Sequence, residues 1–205
     1  MRNFAIMPAA LAFIPAAALL CANPAVGQIG NPASVMPGSE QAAPGVPAPH
    51  ETNVQDRLFT RLAAAGGKAE VEIGQLAQQK ALRQGVKDFT RMMIEDHTKA
   101  NEKLANLAQG AGIPLPAGLD PDHLAMRAKL EKLSGADFEV NYMLAQIEDH
   151  QKTAQLLEWE IGSGQNTLLQ QCAAEVLPTV LGHLRRAQML ASELTGQTPP
   201  ETASR

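Results

Sequence analysis

The chain is predicted to fold as an all-α antiparallel four-helix bundle with one long crossover that contains a short helix. Three observations predict it. Of the 205 residues 45% are hydrophobic but only 3% aromatic, so the core must be built from Leu, Ala, Ile and Met, a composition suited to packed helices rather than to a β-sandwich. From Asn53 to Leu194 the apolar residues recur at steps of three and four, without sustained β alternation. Glycines, prolines and capping residues cut that stretch into four long segments, joined by a short, a long and a short connection.

The elements follow in order. Residues 1–27 read as a signal peptide: Arg2 opens it, residues 4–20 are uncharged and rich in Ala and Leu, and Ala25 and Gly27 suit cleavage after Gly27. Pro8 and Pro15 interrupt the apolar run, which argues against a membrane-spanning helix. Cleavage would also remove Cys21, leaving Cys172 as the only thiol and no internal disulfide. Residues 28–52 hold five prolines and few large apolar side chains, the composition of a linker. The bundle domain is expected over 53–195. Asn53 can cap a first helix running to about Arg83, and a Gln84-Gly85 break leads to a second that ends at Gly110. Asp120-Pro121 opens a short helix within the crossover. Ser134 with Asp137 resembles a capping box for a third long helix ending near Gly164, and Asn166 can cap the fourth. Residues 196–205 read as a disordered tail. Short, long and short connections give the ferritin-like arrangement of four helices.

Net charge is −4, which excludes a general basic surface for nucleic acid or anionic lipid. No metalloprotease, hydrolase or phosphate-loop motif is present, and no paired cysteines. One internal repeat stands out: Ile94-Glu95-Asp96-His97-Thr98-Lys99 recurs as Ile147-Glu148-Asp149-His150-Gln151-Lys152, with Phe89 and Tyr142 at matching positions. Its Glu–Lys pairs are explained as i,i+4 partners on a solvated face. The histidines are not.

His97 sits in the stripe Val86, Phe89, Met93, His97, Ala100, Leu104, Leu107. His150 belongs to Val140, Met143, Ile147, His150, Ala154, Leu157, Ile161, and His183 to Ala173, Val176, Val180, His183, Ala187, Leu190, Leu194. Each therefore lies on a core-facing seam. The first helix contributes Glu70 on the stripe Phe59, Ala63, Gly66, Glu70, Ile73, Ala77, with Glu72 as its rival on an alternative stripe. Counted from the turn near Gln84, Glu70 lies 14 residues back and His97 13 forward, so the two are level. About Gly164, His150 is 14 back and His183 19 forward, a mismatch of about 7 Å. Glu175 matches better, and Pro178 could shift the register.

The functional reading of this constellation is a mononuclear metal site on Glu70, His97, His150 and His183, holding one Zn, Cu or Fe ion. The competing account, slightly heavier on sequence alone, is buried histidines bonded to neighbouring carboxylates or carbonyls. Asp96 and Asp149 point away from their own histidines and are placed to serve those of other helices. A di-iron centre is disfavoured, because Ile94, Ile147 and Val180 stand where Glu-x-x-His would need glutamate. Met92 and Met93 read as core filling rather than copper ligands.

VKDFTRMMIEDHTKANEKLANLA, GIPLP, LSGADFEVNYMLAQIEDHQKT and LPTVLGHLRRAQ resemble the bacterial exported family called domain of unknown function 4142. The similarity runs from about Asp56 to Leu190, and Thr90 and Val140 depart from the usual residues. The resemblance implies a ferritin-like bundle in the periplasm, with motif positions at Glu70, Asp96, His97, His150 and Leu177 to His183. Members often carry the label "predicted outer membrane protein", which an all-helical pattern does not fit as a barrel. The expectation is an exported, periplasmic or secreted, non-catalytic binding or stress-related module. A metal-dependent redox enzyme and a structural docking module are its alternatives.

Overall fold

The computed structural model describes residues 52–196; the expected signal segment, nearly all of the linker and the tail beyond Gly196 lie outside them. Five helices follow one another: α1 (Val54–Lys80), α2 (Gln84–Gly110), α3 (Pro121–Glu131), α4 (Gly135–Ser163) and α5 (Thr167–Thr195). The long ones have 27 or 29 residues, about 40–44 Å at 1.5 Å per residue. Among the described residues there is no strand, and no helix is long and apolar enough to cross a membrane.

Local chemistry sets most helix ends. Asn53 caps α1 by accepting from Asp56 N at 2.7 Å, while Asp56 accepts from Asn53 N at 2.6 Å. Asp120 accepts from Asp122 N and His123 N at the start of α3, and Asn166 from Leu168 N and Leu169 N at the start of α5. Gly196, at φ 69°, closes α5 in the left-handed conformation that glycine adopts without penalty.

Two ends differ from expectation. The first turn is Ala81–Arg83, and Gln84 and Gly85 already belong to α2. The cause is tertiary: Glu139 of α4 accepts from Leu82 N at 2.8 Å and from Arg83 N at 2.7 Å, so a carboxylate from across the bundle fixes the turn. Ser134 makes no side-chain cap to α4, and the expected capping box is absent. There the chain turns through Gly135 at φ 58°, and Lys80 Nζ binds the carbonyls of Glu131 and Leu133 instead.

These contacts define the topology. Glu139, near the start of α4, meets the α1–α2 turn. Asp56, near the start of α1, accepts from Gln165 N and Asn166 N in the α4–α5 turn. The order is therefore up, down, crossover, down, up, the ferritin-like connectivity. Helices α1–α2, α4–α5, α1–α4 and α2–α5 are the neighbours, all antiparallel, so α2 and α4 form a parallel diagonal. This is why the repeated segments of α2 and α4 present their histidines at one height.

The core has two apolar clusters. One gathers Phe89, Met93, Phe138, Tyr142 and Leu130; the other gathers Phe59, Leu104, Leu157, Leu169 and Val180. Along every long helix a polar residue separates them: Glu70, His97, His150 and His183, all buried. The buried face of α4 is rotated from the expected stripe. Phe138, Tyr142, Gln146 and Asp149 are buried while Val140 and Ile147 are only half-buried: Tyr142 meets Phe89 of α2, Gln146 donates to Glu70 of α1 and Asp149 faces His123 of α3.

Candidate metal centre

His97, His150 and His183 come together at the middle of the bundle. Their ring centroids are 5.5, 5.6 and 5.5 Å apart, and one nitrogen of each lies within 4.8 Å of the other two. They are 8%, 1% and 3% exposed.

Second partners set the tautomers. His150 Nδ1 lies 2.9 Å from the carbonyl of Gln146, so it donates there and Nε2 carries the lone pair. His183 Nε2 donates to Asp96 Oδ2 of α2 at 3.0 Å, which leaves the lone pair on Nδ1. Among the described residues, His97 Nε2, His150 Nε2 and His183 Nδ1 have no hydrogen-bond partner although buried. Leaving such an atom unmatched costs about 1–3 kcal/mol. One unmatched nitrogen on each of three converging rings is an arrangement that a cation completes.

The electrostatics favour neutral rings at His97 and His150. Burial first, then the neighbouring imidazoles, lowers the His97 pKa from 6.5 to about 3. Burial and His183 lower that of His150 to about 4. Glu70 is also buried, and burial, followed by the charge of Asp149, raises its carboxyl to about 8. Its Oε2 accepts from Gln146 Nε2 at 2.8 Å and its Oε1 lies 3.6 Å from His150 Nδ1. Glu70 thus stands beside His150, while the donor set within 4.8 Å consists of the three histidines.

Each candidate from the sequence has a definite place. Glu70 faces the core; its rival Glu72 pairs with Arg127 of α3 at 3.2 Å and is partly exposed. Glu175 is not at the centre: it pairs with Lys103 at the surface, and His183 occupies the place that the level count gave it. The count assumed a turn centred on Gly164. With α4 ending at Ser163 and α5 starting at Thr167, His150 lies thirteen residues before and His183 sixteen after, an offset of about 4.5 Å that two imidazoles span. Asp96 serves a histidine of another helix, as its angular position implied.

Gln146 and His123 were not singled out from the sequence. The signal for Gln146 was a polar residue four positions before His150, on the same face. His123 of α3 lies between Asp120 Oδ2 at 2.5 Å and Asp149 Oδ2 at 3.4 Å. Asp149 first, then Asp120, raises its pKa to about 9, against an opposing cost of burial.

A four-helix bundle with a buried three-histidine layer is the class that this fold and site define. The chain belongs to the family described as Domain of unknown function (DUF4142), whose model matches residues 41–190. No curated protein matches it. Among solved structures it is similar in fold to a DUF305 fragment from Deinococcus radiodurans, with TM-score 0.63 and 13% identity over 69% of this chain and 98% of that one. A DUF305 protein from Streptomyces coelicolor gives TM-score 0.61 and 14% identity over 73% and 98%. CopM in the Cu(II)-bound form gives 0.58 and 15% over 67% and 96%.

Proposed function

We propose that this protein is an exported, non-catalytic metal-binding module that holds one copper ion on His97 Nε2, His150 Nε2 and His183 Nδ1. The observations that carry the reading are a buried, unpartnered nitrogen on each of three histidines and ligand atoms of the three rings within 4.8 Å of one another. A purely structural role leaves all three unmatched. Copper is favoured among the borderline ions on two grounds. It heads the divalent affinity order at nitrogen sites, and as Cu(I) it brings a single charge into a buried site of three neutral ligands, where desolvation penalises a dication more heavily. The fold likeness to CopM, described with Cu(II) bound, agrees with this ion, but at 15% identity it carries the fold alone. Export rests on the N-terminal segment, read as a signal peptide over 1–27 followed by a linker over 28–52, which places the module in the periplasm or outside the cell.

The test uses tag-free protein stripped with a chelator and titrated with Cu(I) against a coloured competitor. One ion per chain is expected, with three nitrogen scatterers in its X-ray absorption spectrum, and His150→Ala should abolish it. Wild type that leaves copper with the competitor throughout would overturn the proposal.

A further inference from the structure

The middle of α1 carries adjacent glycines, Gly66 and Gly67, although glycine is a poor helix former. At Gly67 the neighbour is a side chain: a Cβ there would lie 2.0 Å from Asn101 Oδ1, so the amide of Asn101 on α2 occupies the space beside that glycine. At Gly66 no neighbouring atom lies within 4 Å of a Cβ position. Packing does not require that glycine, and a side chain there would project into open space.

That space adjoins a cavity of about 70 Å³ walled mainly by Phe59, Leu104, Leu157, Ala173 and Val180, with His97 and Glu70 also in its lining. A single water needs roughly 10–15 Å³ by this kind of measure, so the cavity has room for a molecule of a few heavy atoms. Its walls contribute one side chain or more from each long helix of the bundle. Gly66 also lines the outer groove between α1, α3 and α4, which contains His123 and Asp149. With Leu62, Glu70, Thr153 and Leu156 it lines both groove and cavity, and the open space at its Cβ position is one that alanine would narrow and leucine would fill.

We infer that this cavity is a second binding site, for a small uncharged molecule of two or three heavy atoms in the class of carbon monoxide, nitric oxide and dioxygen, which passes Gly66 to reach the ion at His97. Apolar walls take such a molecule without the desolvation that excludes ions. Three protein ligands leave the ion a free position for it. The second half of this inference rests on the copper reading; the cavity as a site for an apolar guest does not.

Two probes separate them. Xenon is applied to the chelator-stripped protein while the methyl NMR signals of Leu104, Leu157 and Val180 are followed. Carbon monoxide is applied to the Cu(I)-loaded protein and read by its infrared stretching band and by stopped flow. Wild type should show xenon-dependent methyl shifts and one carbonyl per copper. Gly66→Leu should keep one copper at unchanged affinity, lose the xenon shifts and slow carbonyl formation at least tenfold. Gly66→Ala should lie between them, and Ala63→Leu, one turn earlier in the cavity wall, replaces Gly66→Leu if that variant does not fold. Xenon shifts without stoichiometric copper would overturn the copper reading and leave the cavity site standing. Bound copper with no xenon shifts, or a carbonyl rate that both leucine variants leave unchanged, would overturn this inference.

Discussion

His123 and the three histidines of the core are the same side chain in opposite situations. His123 lies at the edge of the bundle with a carboxylate on each ring nitrogen, so both nitrogens donate, the ring is a cation and its pKa rises to about 9. In the core each ring has one unpartnered nitrogen, and His97 and His150 resist protonation down to about 3 and 4. The difference teaches what makes a histidine a candidate ligand. Burial alone would give a satisfied, inert ring; paired carboxylates would give a structural cation. A buried, unmatched nitrogen close to two others is available for a metal, and at His150 and His183 an acceptor on the opposite nitrogen keeps it so.

The largest effect expected from this contrast is ion-dependent stability. At free copper one hundred times its dissociation constant, wild type should gain about 2.7 kcal/mol by mass action. His150→Ala should gain nothing, whereas His123→Gln should gain as much as wild type. Denaturant melts with and without copper measure all three. A loss of the gain in His123→Gln would erase the distinction between the two kinds of histidine.

Asp96→Asn tests the second sphere. It removes the charged acceptor that holds the His183 tautomer and should weaken copper binding about 10–100-fold, read by competition titration, with the helical content unchanged.

The chelated protein should also separate the groups by pH. His97 and His150 bind protons near 6.5 when unfolded but only near 3 and 4 when folded. Their contribution is therefore present above 6.5 and lost as pH falls, at about 1.4 kcal/mol per pH unit for each proton. Glu70 and Glu160, whose folded values rise from 4.5 to about 8, act the other way: their contribution is present below 4.5 and lost as pH rises towards 8. For Glu160 the cause is burial and then the adjacent Asp56. The opposing slopes should offset one another between about 4.5 and 6.5, giving a plateau there with decline on both sides. Urea midpoints across pH 3.5–9 check this, and a maximum at pH 8 would contradict the neutral core.

The smallest effect belongs to His123 itself. Its folded value stands above the unfolded 6.5, so its contribution is present below 6.5 and lost as pH rises through about 9. His123→Gln should cost about 1 kcal/mol at pH 6 and nothing measurable at pH 10, with the wild-type ring seen to titrate near 9 by NMR.

The sequence by itself determined what depends on near neighbours along the chain. Apolar residues at steps of three and four specify the long helices, because the α-helix has 3.6 residues per turn. Asn53, Asp120 and Asn166 specify helix starts, because a capping side chain bonds amides two or three residues away. The same spacing placed His97, His150 and His183 on inward faces. Tertiary structure decided the rest. Glu139 moved the first turn from across the bundle, contacts with three other helices set the buried face of α4, and an offset hairpin brought His183 rather than Glu175 to the centre. Above all, the acceptor for His183 is Asp96 of another helix, and which nitrogens remain unmatched depends on every group that packs around them. Periodicity along one helix says which way a residue faces; what it meets there is set by the other helices.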